Sequence, residues 1–396
     1  YRAILAQRPL SSAAWSNLGV ILRSTARYDA SVRAHRRAYA LARTPTIVNN
    51  FANALHDSGR FAEALPLRRA LYERSERSVV RLRDYCATLR CLGHHEEAIA
   101  LLDRAEAEGW LEGEPVLQRS FSHLMLGHYE QGFRDCEARF HGNEVRLPDI
   151  GLPRWMGEPV EGRRLLVTPE QGFGDAVMVA RFLPRLKAVT GAHVTLWAKK
   201  PLRRLFEGVE GADRVVSSTA EADDCELYTP NMSVPMLVGL EGGTPPPPAR
   251  LSIPDESRAR ARARIGPFEG MLKVGIVWTG SLSYRANHRR AAGLERFLPL
   301  AEIPGVQLFS LYKGDAHDTL AASGELGTIV DACGDDRDFA DAAAIMDALD
   351  LMVTTDTAVV HVAASLGKPV WNLLAYEGFW LYGLGERTPW YPSMRL

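Results

Sequence analysis

Cysteine is scarce and unpatterned in this chain of 396 residues: Cys86, Cys91, Cys136, Cys225 and Cys333 are odd in number and form no CxxC pair. Such spacing argues against both a disulfide framework and a cysteine-built zinc site, and a cytoplasmic location is the expectation. Long apolar runs are lacking as well. No stretch approaches the roughly 20 residues that span a bilayer, and the first residues lack the basic, apolar and small order of a secretory leader. Neither sign of charge dominates: 47 Lys and Arg against 48 Asp and Glu leave a net charge of -1, which offers little field for nucleic acid or an anionic membrane. The local run Arg258, Arg260, Arg262 and Arg264 reads as the solvated face of a helix. What remains is an ordinary globular composition, 46% hydrophobic and 24% charged. The chain is longer than one core usually serves, so two or three domains are expected.

The first 145 residues repeat. Gly59-Arg60-Phe61, Gly93-His94-His95 and Gly127-His128-Tyr129 are each 34 residues apart, and Ala26-Arg27-Tyr28 lies 33 before the first of them. Trp15, Leu18 and Gly19 open the first unit, and Ala64, Ala98 and Gly132 supply small residues where a second helix must pack closely. A period of about 34 is that of the tetratricopeptide repeat. Each unit is a helix pair that cannot bury its apolar stripe alone, so residues 1–145 are expected to stack into an α-solenoid whose concave groove holds a protein partner. His94 and His95 fall in a turn where exposed polar residues belong, with no ligand partners nearby to make a metal site. Cys86 reads as a small packing residue at a helix–helix contact.

From residue 163 the pattern changes to short apolar runs alternating with helices, which means parallel sheet with crossover helices. Runs at 165–168 and 193–198, with a helix over 175–189 between them, belong to a first lobe at 155–250. A linker at 242–254 carrying Pro245 to Pro248 continues neither strand nor helix. Runs at 274–278, 306–311, 328–331, 351–354 and 370–374 then build a second lobe at 265–396. Two such lobes place a ligand in the cleft outside the carboxyl ends of their strands.

Three loops at those strand ends carry chemistry. The first holds Glu170, Gln171, Gly172, Gly174 and Asp175: glycines that permit close backbone approach, flanked by two carboxylates of which one can act as general base on an acceptor hydroxyl. Asp175 is equally suited to be a helix N-cap. The second loop holds Asp356, Thr357 and His361 at the start of a helix, whose free amides and dipole suit a diphosphate, with Thr357 and His361 sharing one helical face. In the third loop, Trp278, Gly280 and Ser281 offer backbone and hydroxyl donors to a phosphate, with His288, Arg289 and Arg290 as compensating charge. The turn of Tyr312, Lys313, Gly314 and Asp315 is placed to hold a base or ribose.

The segments Glu170 to Asp175, Val274 to Gly280, Asp356 to Ala363 and Trp390-Tyr391-Pro392-Ser393 resemble bacterial tetratricopeptide-repeat glycosyltransferases. Their catalytic half is similar to the heptosyltransferases of lipopolysaccharide synthesis, glycosyltransferase family 9. The resemblance implies a GT-B fold of two Rossmann-like lobes, with an acceptor-side first lobe and a donor-side second lobe. It also implies inverting, metal-independent transfer from a nucleotide sugar, with no cofactor. Carried over by position, it makes Asp175 the base and gives Asp356, Thr357 and His361 the donor's sugar and phosphates. The lysine that heptosyltransferases place on the donor phosphate has no counterpart, leaving Arg289, Arg290 or Lys313 in its stead. Repeat-fused relatives linked to flagellin glycosylation imply a protein acceptor, flagellin or another surface protein. The competing reading is a non-catalytic scaffold with a degenerate nucleotide-binding region.

Overall fold

Helix pairs set at the repeat period build the first of two compact units, Tyr1–Gly142, which is followed by a parallel-sheet unit, Asn143–Leu396. The computed structural model describes all residues except Asn143, Glu144, Ser283, Arg285, Asp315 and Ala316, with the backbone alone described at 317–319. Asp315 of the expected base-binding turn therefore lies outside the described residues.

In the first unit a short α1 (Arg2–Gln7) precedes the pairs α2 (Ser12–Ser24) with α3 (Tyr28–Leu41), α4 (Pro45–Asp57) with α5 (Phe61–Glu73), α6 (Val79–Cys91) with α7 (His95–Ala107), and α8 (Glu114–Met125) with α9 (Tyr129–Asp135). Ser11 and Thr44 cap α2 and α4 by accepting from the amides of Ala14 and Ile47, and Pro45 supplies the preset first turn of α4. The pairs reverse at Gly59, Gly93 and Gly127, whose φ of 76°, 80° and 80° is the left-handed conformation that ends a helix. Ala26 adopts the same conformation at φ 56° without the glycine.

Small residues sit where the helices cross. Ala64 and Ala98 are fully buried, and a side chain on Gly132 would collide with Leu124. Cys86 and Ser120, one period apart, donate to the carbonyls of Ala98 (3.8 Å) and Gly132 (2.7 Å), so Cys86 packs at a helix contact. His95 departs from expectation: it opens α7 with 2% of its surface exposed, because the helix starts earlier than the turn signal suggests and turns the ring inward. Burial holds its pKa below the usual value.

The second unit contains two parallel sheets. The strands of the first are β1 (Arg164–Thr168), β2 (His193–Trp197), β3 (Arg214–Val216) and β4 (Leu227–Pro230), in the order β3-β2-β1-β4. The second has β5 (Leu272–Val277), β6 (Val306–Ser310), β7 (Ile329–Asp331), β8 (Leu351–Thr355), β9 (Val370–Leu373) and β10 (Met394–Arg395), in the order β10-β9-β8-β5-β6-β7. Val274 at its centre pairs with Leu308 on one side and Leu351 on the other. Strands covered on both faces need apolar side chains on both, which is why β1 and β5 read as continuous apolar runs. The connectivity reverses beside β1 in one sheet and between β5 and β8 in the other, and such switch points open a crevice at the strand ends.

The helix expected over 175–189 is divided into α10 (Phe173–Val179), a 3-10 turn at Ala180–Phe182 and α11 (Leu183–Thr190). Pro184 has no N–H to continue the ladder, so the chain restarts there. The arginines of the helix Asp255–Ile265 are also not merely solvated: Arg258 pairs with Asp347, and Arg260 (3.1 Å) and Arg264 (2.6 Å) pair with Asp335. Among the described residues no helix is long and apolar enough to cross a membrane.

Candidate functional site

The loops at the two switch points meet between the lobes. On the first lobe, Gly172 occupies the N-cap of α10, and Asp175, one turn in, reaches back so that its Oδ2 accepts from the Gly172 amide at 2.8 Å. Asp175 is therefore not the N-cap itself. On the second lobe, the helix Ala358–Ser365 starts after β8 with Thr357 as an extended N-cap, its φ at -145°. The two helix starts are in contact. A Cβ added to Gly174 would lie 2.6 Å from Cδ2 and 3.1 Å from Nε2 of His361, and 3.4 Å from the Cα of Ala358. Glycine is required there because a side chain would hold the lobes apart. The Phe173 and Phe339 rings, 5.2 Å apart, extend the lobe contact.

Asp175, Asp356, Thr357 and His361 thus come together, and their electrostatics follow from crowding. Burial pushes Asp175 up to about 6; the neighbouring Asp356 and Glu170 carboxylates add to the rise, and the Gly172 amide opposes it. Asp356 is also raised by burial, against the pull of the Tyr382 hydroxyl, which donates to its Oδ1 at 2.5 Å, and of the Arg290 cation. Burial, with help from the Arg181 cation, lowers His361 to about 3, so its ring is neutral. Its Nδ1 lies 3.1 Å from the Tyr391 hydroxyl. Among the described residues the buried Thr357 hydroxyl has no hydrogen-bond partner, an orphan donor at the mouth of a helix with open amides.

The loop after β5 is held by Asn287, whose Oδ1 accepts from the Gly280 amide at 3.0 Å and whose Nδ2 donates to the Thr279 hydroxyl at 2.9 Å. Arg290 lies across Gly280, where any Cβ would collide with its guanidinium; its Nε also bonds Asn287, at 3.1 Å. Of the three cations put forward for the donor phosphate, the other two are engaged elsewhere. Arg289 pairs with Glu377 at 3.1 Å. Lys313 is exposed and donates to the Asp336 carbonyl. Among the described residues no carboxylate is within ion-pair distance of Arg290, while its charge is felt by Asp356.

Trp278 is buried with its ring 5.2 Å from Tyr312, which makes this pair a wall rather than an open platform. Ser281 is exposed. Glu170 stays half-buried at the rim, where the Gln171 amide donates to it at 3.4 Å, and the Gln171 carbonyl accepts from Lys199.

Sequence reasoning missed Tyr382 and Arg181, which reach the site from 26 residues after Asp356 and 209 residues before Trp390. No local pattern marks either. Tyr391 had a signal, since it lies in the Trp390-Tyr391-Pro392-Ser393 segment.

A family model described as glycosyltransferase family 9 (heptosyltransferase) matches residues 319–377, which include Asp356, Thr357 and His361. A tetratricopeptide-repeat model matches residues 14–48. Protein FlbA of Caulobacter vibrioides is 28% identical, over 90% of this chain and 70% of its own length. Among solved structures, the glycosyl transferase family 9 protein of Veillonella parvula DSM 2008 is 15% identical with a TM-score of 0.43, covering 55% of this chain and 81% of that one. The ADP-heptose lps heptosyltransferase II of E. coli is 15% identical with a TM-score of 0.44, covering 59% of this chain and 89% of that one.

Proposed function

We propose, for a chain that joins tetratricopeptide repeats to a glycosyltransferase family 9 domain and is a glycosyltransferase, that it moves a sugar from a nucleoside-diphosphate sugar to a hydroxyl of a protein held by the repeats. The observation that carries this reading is the meeting of a carboxylate, Asp175, with a helix start bearing the buried, unpartnered Thr357 hydroxyl. Asp175 takes the acceptor proton as the hydroxyl oxygen bonds to the anomeric carbon. The bond from that carbon to the phosphate oxygen breaks on the opposite face, which inverts the centre. A base near pH 6 is ionised in neutral solution yet basic enough to accept a proton in the transition state. The departing diphosphate rests on the amides after Thr357, with the Thr357 hydroxyl, His361 and the Arg290 cation around it. Arg290 takes the part that a metal ion plays in other transferases. A surface protein such as flagellin is the acceptor class that the family resemblance implies.

The test is transfer of labelled sugar from nucleotide sugars to a protein acceptor by the full chain and by Asp175→Asn. The variant loses transfer by at least about a hundredfold, the scale of a lost general base, while donor affinity stays within about twofold. Full activity in the variant would overturn the assignment of the base.

A further inference from the structure

Behind His361 stands a second layer of side chains with no part in the chemistry described above. Tyr391 is fully buried, its hydroxyl 3.1 Å from His361 Nδ1 and the two rings edge to face at 5.7 Å. Arg181, contributed by the other lobe, is only 3% exposed. Its guanidinium carbon lies 4.6 Å from the centre of the Tyr391 ring and 5.0 Å from that of Trp390. Nη1 donates to the carbonyls of Trp390 (2.8 Å) and Pro246 (3.1 Å), and Nε to that of Met178 (2.9 Å). No carboxylate among the described residues pairs with this cation. Carbonyl oxygens and aromatic faces hold it instead, an arrangement that fixes its position tightly and leaves its charge uncancelled.

We propose that Arg181 and Tyr391 form a positioning relay that locks His361 in the tautomer with its proton on Nε2, so that the ring presents a fixed neutral donor to the nucleotide's phosphates.

The direction of each hydrogen bond follows from what the groups can do. A guanidinium only donates, so the Arg181 cation against the Tyr391 ring offers the phenol proton no acceptor, and among the described residues the hydrogen-bond partner of the Tyr391 hydroxyl is His361 Nδ1. The Tyr391 proton then points to that nitrogen. With Nδ1 accepting, the neutral imidazole carries its hydrogen on Nε2. That edge of the ring faces Gly174 at the lobe contact and makes no hydrogen bond among the described residues. Burial and the Arg181 cation keep a second proton off the ring. The Nε2–H donor is therefore insensitive to pH across the range in which Asp175 titrates.

The inference rests on the transferase reading, but the tautomer can be read without substrate. In full-length protein with 15N-labelled histidine, the His361 signals are identified by their loss in His361→Gln. Wild type should show Nε2 protonated and Nδ1 bare, unchanged from about pH 8 to about pH 5. Tyr391→Phe keeps the ring but removes the hydroxyl: the signals should move to a mixture of tautomers, and the affinity for whichever of ADP, UDP, GDP and CMP wild type binds most tightly should fall about tenfold. Arg181→Gln should shift the tautomer likewise, which a residue that only stitches the lobes would not do; if that variant does not fold, Tyr391→Phe decides. Nδ1–H in wild type, or an unchanged tautomer in Tyr391→Phe, overturns the relay. Failure of wild type to bind any of the four nucleotides, with the Nε2–H tautomer in place, overturns the transferase reading instead.

Discussion

Asp175 shows what one residue's surroundings do to its chemistry. A free aspartate is ionised well below neutrality, whereas this one, desolvated and facing Asp356, titrates at about 6. A general base works only when deprotonated, so transfer should rise with pH through that value and level off above it. Measured as kcat/KM, the rate should fall about tenfold for each pH unit below pH 6; a profile flat down to about pH 4.5 would rule the assignment out. The stability consequence has the opposite sign to that of an ion-paired aspartate. Because the folded pKa is raised, the folded protein binds this proton more tightly than the unfolded chain does. The ionised carboxylate is thus a destabilising group above pH 6, and its burden is relieved as pH falls through the range between 6 and the unfolded value. Asp175→Asn should therefore melt at a higher temperature than wild type at pH 7.5 while losing transfer, and that gain should shrink toward pH 4.

Among the elements, the turns of the repeat array show how a local rule and one exception are read. Gly59, Gly93 and Gly127 take a positive φ at no steric cost, and Ala26 takes it at φ 56° with a Cβ in the way. Ala26→Gly should stabilise the protein by about 0.5–1 kcal/mol, seen as a raised denaturation midpoint; an unchanged or lowered midpoint would mean that Ala26 packs better than it strains. The same local logic explains which elements were legible. Strands β1, β2 and β5 to β9 stood out as apolar runs. Strand β3, three residues long, and β4, which ends at Pro230, are too short or too mixed to show a period. β10 exists only because Met394 lies beside Val370 in the folded chain.

At the scale of the sheet unit, the proposed transfer depends on how closely the lobes approach. Gly174 is a point of close approach, and Gly174→Ala puts a methyl group into the His361 ring, which is buried and bonded to Tyr391. The ring cannot swing aside cheaply, so the lobes must part. Nucleotide affinity should drop about tenfold or more by calorimetry, with Arg204 and Asp338, joined at 3.1 Å across the same interface, loosening in hydrogen exchange. Retained affinity would show that the cleft has slack.

Periods and turn signals are properties of neighbouring residues, so the sequence alone determined the repeat array, the two-lobed parallel-sheet unit and the loops that end its strands. It also marked Asp175, Asp356, Thr357 and His361, because glycine-rich turns and helix starts are written locally. Only the tertiary structure decided that Gly174, beside Asp175, meets His361, that Arg290, unlike Arg289, has no ion pair among the described residues, and that Arg181 backs Tyr391. Those pairings join residues far apart in the chain through crossover connections, and the shifted proton affinities come from water excluded where the lobes close. Neither has a local signature, since desolvation and long-range contact arise only when the whole chain is folded.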